Sequence, residues 1–262
     1  MKKSLCIGLL VLLCPACAMA QSTFDGTWKI DTSKVQMSKK PDVIVLQNGI
    51  YECKTCVPAI KVKADGTDQK VTGHPYYDTM VVQVVDDHTV KETEKKGGKV
   101  VSTSTTTVSS DGKVAHFDFT DSSNTNSDPV TGKGDMKQVA QGPAGAHAIS
   151  GSWVESDISG FSDNGLLFTY KEDGGKLSMT TPTGQSYQVK TDGTAGPYKG
   201  DPGITTVSVK QVGSNSLVET DLRNGKAIAV VKSTLSADGK SMDMVYEDKL
   251  QGRTMSYVAV KQ

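Results

Sequence analysis

Beyond its first two dozen residues the chain alternates apolar and polar positions in short runs rich in Val, Thr, Tyr and Ile. Such runs, bounded by turn residues, predict β-strands. In the first half they fall at 24–31, 42–48, 50–55, 58–64, 79–86, 89–96, 99–109, 113–120 and 135–140. In the second half they fall at 151–158, 166–172, 176–181, 185–191, 204–212, 216–222, 226–236, 240–247 and 254–260. Met80, Val82 and Val84 share one face of their strand while Gln83 points away, and Val207 and Val209 do the same opposite Lys210. Phe117 and Phe119 alternate as Met244 and Tyr246 do. The stretch from Ser102 to Thr107 is polar on both faces, which suits a partly wet lumen better than a dry sandwich core.

Turn pairs join the runs: Asn48-Gly49, Asp65-Gly66, Gly97-Gly98 and Asp111-Gly112, then Gly174-Gly175, Asp192-Gly193, Asn224-Gly225 and Asp238-Gly239. These residues accept the backbone of tight hairpins, so consecutive strands are expected to pair antiparallel. The two halves are also copies of one another. Residues 61–113 align without a gap on 188–240, with 19 identities in 53 positions. A period this long describes whole domains, not a solenoid unit. The expected fold is all-β: two tandem antiparallel up-and-down β-barrels from an internal duplication, since closure is the simplest way for so long a meander to hide its edges. The sequence leaves open whether each copy closes its own barrel or the two share a larger sheet. The first repeat spans 21–141 and the second 149–262, with a Gly/Ala/Pro linker at 142–148. A polar stretch, 121–134, is expected to be a loop that lengthens the last hairpin of the first repeat.

Residues 1–20 have the form of an export signal: Lys2 and Lys3, an apolar core from Leu5 to Leu13, and Ala18-Met19-Ala20 before the cut. The mature chain, starting at Gln21, is expected to be periplasmic or secreted, with 27 basic and 29 acidic residues. The near balance, without a basic stripe, argues against nucleic acid as a partner. The apolar run is too short for a membrane span. Three of the five cysteines leave with the leader, so Cys53 and Cys56 remain. An even pair in an oxidising compartment is read as a structural disulfide pinning a hairpin; a redox dithiol would want a helix N-terminus.

Each copy opens on Gly-x-Trp, Gly26-Thr27-Trp28 and Gly151-Ser152-Trp153, and these are the only two tryptophans. A Gly-x-Trp on the first strand of a meander resembles the lipocalin and fatty-acid-binding proteins, the calycin group. The lipocalin Thr-Asp-Tyr signature and terminal helix are not evident, so the resemblance is lipocalin-like. More narrowly, the pattern looks like exported bacterial proteins with a repeated Asp-Gly-Lys hairpin. The calycin resemblance implies that Trp28 and Trp153 plug the closed barrel ends with a basic residue across each ring. Arg253 is the candidate for Trp153 and Lys133 the weaker one for Trp28, because lysine lacks a flat guanidinium.

No nucleophile elbow, phosphate loop or metalloprotease motif is present in the sequence. His74, His88, His116 and His147 have no spacing that defines a metal site, and no cofactor is expected. Glu92 and Glu219 recur at equivalent positions and are candidates to face a lumen, weighed against ordinary surface charge. The candidate ligand-lining set is Met80, Val82, Glu92, Phe117 and Phe119 in the first copy. In the second it is Val207, Val209, Glu219, Met244 and Tyr246. The leading expectation is a non-enzymatic binding protein for a small apolar or amphipathic ligand. The alternative is an envelope scaffold with solid barrels that acts through its surface.

Overall fold

The computed structural model describes residues 24–123, 127–158 and 160–262. The leader and its cleavage site lie outside the described residues. The chain is all-β, with two ten-stranded antiparallel barrel-shaped sheets. The first ten strands are β1 (Gly26–Gln36), β2 (Asp42–Gln47), β3 (Ile50–Cys53), β4 (Ile60–Lys63), β5 (Gln69–Lys70), β6 (Thr79–Val84), β7 (Thr89–Lys96), β8 (Lys99–Val108), β9 (Val114–Asp121) and β10 (Val130–Gln141). The second ten are β11 (Gly151–Asp157), β12 (Leu167–Asp173), β13 (Lys176–Thr180), β14 (Ser186–Lys190), β15 (Gly196–Lys199), β16 (Thr206–Val212), β17 (Ser216–Arg223), β18 (Lys226–Leu235), β19 (Ser241–Asp248) and β20 (Arg253–Lys261). No helix among the described residues is long and apolar enough to cross a membrane.

The barrels do not follow the repeat boundaries. One sheet closes as β1-β12-β13-β14-β15-β16-β17-β18-β19-β20, and the other runs β4-β3-β2-β11-β10-β9-β8-β7-β6-β5. Each repeat thus gives its first strand to the other repeat's barrel. Trp28 pairs with Phe168 on β12 and with Lys261 on β20, while Trp153 pairs with Gln138 on β10 and with Asp42 on β2. The division into 21–141 and 149–262 describes the duplication, and the exchange of β1 and β11 separates it from the barrels. Sequence locality supplies a physical reason. β10 and β11 are neighbours along the chain and close into a hairpin at small loop entropy, which leaves the vacant edge of the second barrel to β1. The segment 142–148 is the connection of that hairpin. It is tied to β2, since His147 donates its backbone N–H to Leu46 O at 2.9 Å.

Turn chemistry repeats between the copies. Asn48 and Asn224 have φ of 52° and 50°, and the glycine after each 72° and 79°, the double positive φ of a two-residue hairpin turn. Asp65 and Asp192 each accept the backbone N–H two residues on, at 3.0 and 2.8 Å. The loop expected at 121–134 is shorter, because β10 already begins at Val130 and pairs with Asp121. Cys53 and Cys56 form a disulfide in the β3–β4 connection. At the matching β13–β14 turn, Thr181 and Thr183 meet at 2.9 Å instead.

Two clusters of buried side chains form the cores. One holds Trp28, Phe24, Leu177, Val207, Val209 and Met242, and the other Trp153, Leu46, Val62, Met80, Val82 and Val90. Each indole N–H is satisfied by a carbonyl four residues back, Phe24 O at 2.9 Å and Ile149 O at 2.8 Å. The basic partners expected across the tryptophans are corrected. The ammonium of Lys261 stands 5.1 Å from the centre of the Trp28 ring, and on Trp153 the equivalent strand position is the neutral Gln138. Arg253 lies at the opposite end of β20 from Lys261 and pairs with Asp42 at 2.5 Å. Lys133 packs its stem against the backbone of Gly160. Arg253 and Lys133 follow glycines at the start of the last strand of each copy, whereas the Trp28 ring meets the end of β20.

Candidate functional site

A cavity of about 430 Å³ opens where the two barrel mouths meet. Phe117 and Phe119 of β9 line it from the first barrel. They share the strand face of the buried Ala115, so they belong to the barrel interior. Met255 and Tyr257 of β20 line it from the second barrel, on the face of the buried Ala259. The exchanged strands supply Ile30 and Glu155, and the connection between β11 and β12 supplies Ile158, Phe161 and Leu166. Phe161 packs edge-on against Phe119, with ring centres 5.2 Å apart. Gly132 lies so close to these rings that a Cβ would stand 2.4 Å from Phe119 and 3.1 Å from Phe161. The absent side chain is what lets the two rings meet at the mouth. The volume falls in the range of small-molecule sites, and the lining is apolar and aromatic around one carboxylate.

That carboxylate is Glu155. Burial pushes its pKa up, as does the charge of Asp42, while Arg253 pulls it down. Arg253 itself is committed to Asp42 through both terminal nitrogens, at 3.0 and 2.5 Å, and its Nε is buried without a hydrogen-bond partner. Asp42 also accepts from the Thr55 hydroxyl at 3.0 Å.

Each barrel carries a second polar feature inside it. In the second, the Tyr187 hydroxyl donates to Glu219, and Asp221 lies two residues further along the same strand. Burial raises both carboxyls, and the Asp221 charge adds to the effect on Glu219. One Asp221 oxygen is buried with no hydrogen-bond partner. Tyr246 faces the same group, its hydroxyl pushed up to about 12 by burial and by Asp248. In the first barrel Glu92 hydrogen-bonds Tyr51, and burial again raises it. Glu94, two residues on, is pushed up to about 7 by burial and by the charges of Glu92 and Asp121, against a hydrogen bond from Tyr77. It lines a smaller cleft of about 280 Å³ with Tyr76, Tyr77 and Asp121.

The expected lining residues thus divide. Phe117 and Phe119 line the shared cavity. Met80, Val82, Val207, Val209 and Met244 are buried in the cores, which corrects their placement as cavity wall: strand faces near the barrel floor are filled by neighbouring side chains. Glu92 and Glu219 point inward and are held by tyrosines. The sequence reading missed Ile30, Glu155, Phe161 and Tyr257. The apolar residues Ile158, Phe161 and Leu166, set in an otherwise polar connection, were the available signal.

The histidines are dispersed. His116 meets Asp135 at 2.6 Å, His88 meets Val108 O at 3.0 Å, His147 meets Asp86 O at 2.7 Å, and His74 stacks on Tyr77. Among the described residues no group of three or more His, Cys, Asp or Glu is arranged to hold a metal ion. The chain matches no known protein-family model, and comparison with characterised proteins gives no significant match.

Proposed function

We propose that the chain is an exported, non-enzymatic, lipocalin-like protein that holds a small apolar or amphipathic molecule between its two barrels. The observation that carries this is the cavity of about 430 Å³ walled by Phe117, Phe119, Phe161, Ile30 and Met255. Four barrel or exchanged strands and the β11–β12 connection converge there, so the wall is built on rigid elements. The leader at 1–20 and the Cys53–Cys56 bridge support the export reading. The double Gly-x-Trp, with each indole buried, supports the calycin resemblance. The two packed core clusters favour a ligand held between the barrels over one deep in either lumen.

The test is native against denaturing mass spectrometry on protein purified from the periplasm. A small-molecule mass lost on denaturation, and lost from the cavity-filling variant Met255→Trp, is the expected result. A native mass equal to the bare chain, unmoved by a panel of apolar ligands, overturns the proposal and favours the scaffold reading. The denatured mass also reads the cut after Ala20.

A further inference from the structure

The cavity wall is apolar except at one end, and that end carries more negative than positive charge. Glu155 is the only charged side chain among the described residues lining it. Arg253, the cation that acts on Glu155, is already held by Asp42 through two hydrogen bonds of 3.0 and 2.5 Å. One guanidinium therefore faces two carboxylates, with Asp248 adding a third charge nearby. Among the described residues no hydrogen bond or ion pair reaches the Glu155 carboxylate; Arg253 acts on it only through space. A carboxylate left unpaired on an apolar wall is costly, and it becomes more so when a ligand displaces the water around it.

Three head groups can be weighed against this arrangement. An anionic head would lie against Glu155 and Asp42 and be repelled. A neutral body would strip water from Glu155 and return nothing to it. A cationic head neutralises the surplus charge and donates to the free carboxylate oxygens. The apolar body behind that head lies against the side chains of Phe117, Phe119, Phe161 and Tyr257.

We infer that the ligand is a small amphipathic cation, an amine on an apolar body, with its charged end against Glu155 and its body among the phenylalanines. This rests on the reading of the cavity as the binding site. The test uses the full mature chain and three probes of one shape, n-decylamine, decanol and decanoate, each below its micellar concentration. Their affinities are measured by calorimetry for the native protein and for Glu155→Gln. The expected order is amine, then alcohol, then carboxylate, with the amine about tenfold or more tighter than the alcohol, the size of one close charge pair. In Glu155→Gln the amine-to-alcohol ratio falls towards one.

Equal binding of amine and alcohol to the native protein, or tightest binding of decanoate, overturns the cationic assignment and leaves the cavity reading standing. A ratio unchanged in a folded Glu155→Gln protein overturns it as well. Failure of all three probes to bind removes the cavity reading and this inference together. The native-protein comparison needs no variant, so it decides even if the substitution impairs folding.

Discussion

Replacing Glu94 by Gln isolates the electrostatic cost of a carboxylate inside the first barrel. The Glu94 carboxyl is raised from 4.5 to about 7, chiefly by burial, then by Glu92 on its own strand and Asp121 on β9. Tyr77 opposes the shift with a hydrogen bond, and a glutamine oxygen keeps that acceptor. A carboxyl whose folded pKa lies above its unfolded value binds more protons when folded. Its contribution is therefore fully present below pH 4.5 and is lost as pH rises through about 7. At about 1.4 kcal/mol per unit, the loss across that window is about 3 kcal/mol. The whole protein does not show this slope directly, because Asp65, Asp78 and Asp111 have lowered pKa values and pull the other way. The difference between variant and native protein removes them. Urea unfolding at half-unit steps from pH 4 to 8 reads it. Glu94→Gln is expected to match the native protein near pH 4 and to exceed it by about 3 kcal/mol near pH 8. Stability curves that run parallel across the whole range would refute the buried-charge argument.

The strand exchange and the Gly-x-Trp glycines give two further expectations. Thr27 and Thr169 face each other across β1 and β12 with hydroxyls 2.9 Å apart, so Thr27→Cys with Thr169→Cys should oxidise to an intrachain disulfide, read by peptide mapping. Formation of the link in Thr27→Cys with Val43→Cys instead would mean that β1 closes its own repeat, because Val43 occupies on β2 the place of Thr169 on β12. Gly151→Ala should destabilise more than Gly26→Ala in thermal unfolding, by about 1–3 kcal/mol. Both sit at positive φ, but the Gly151 Cβ would stand 2.7 Å from the backbone oxygen of Ala140, whereas the Gly26 Cβ meets the movable end of Lys261 at 2.6 Å. Equal losses would show that the carbonyl yields as easily as the lysine.

Nine of the ten strands in each copy and the hairpin turns were legible because both rest on local chemistry, while β5 and β15 fall outside the expected runs. The alternation at Met80–Val82 and the Asn-Gly pairs report a face and a turn without knowing what lies across the sheet. The exchange was not legible, since β1 and β11 carry the same Gly-x-Trp and nothing local to either strand says which barrel it joins. Pairing between β1 and β20 is a contact across the whole chain, and the two-residue β5 has no periodicity to read. The cavity was hidden for the same reason. Its wall joins Ile30, Phe119, Glu155 and Met255, which only the exchanged topology brings together. Glu92 and Glu219 were visible as repeated acids, yet repetition alone does not tell a lumen from a surface.

The exchange also turns a duplication into one polarised site. Aligning Trp28 with Trp153 sets Ile30 opposite Glu155, and both stand on the cavity wall. The two positions are equivalent in the repeat but differ in chemistry, so the pseudo-symmetric wall is apolar where the second barrel contributes its first strand and acidic where the first barrel does. Two isolated barrels would each carry one of these residues at a separate mouth. Facing each other, they give a cavity with a greasy side and a single charged side. A symmetric apolar molecule gains nothing from that difference, while a molecule with one polar end is oriented by it. If the cavity binds as proposed, divergence at this one pair of positions orients the ligand in a way that the residues the repeats still share cannot.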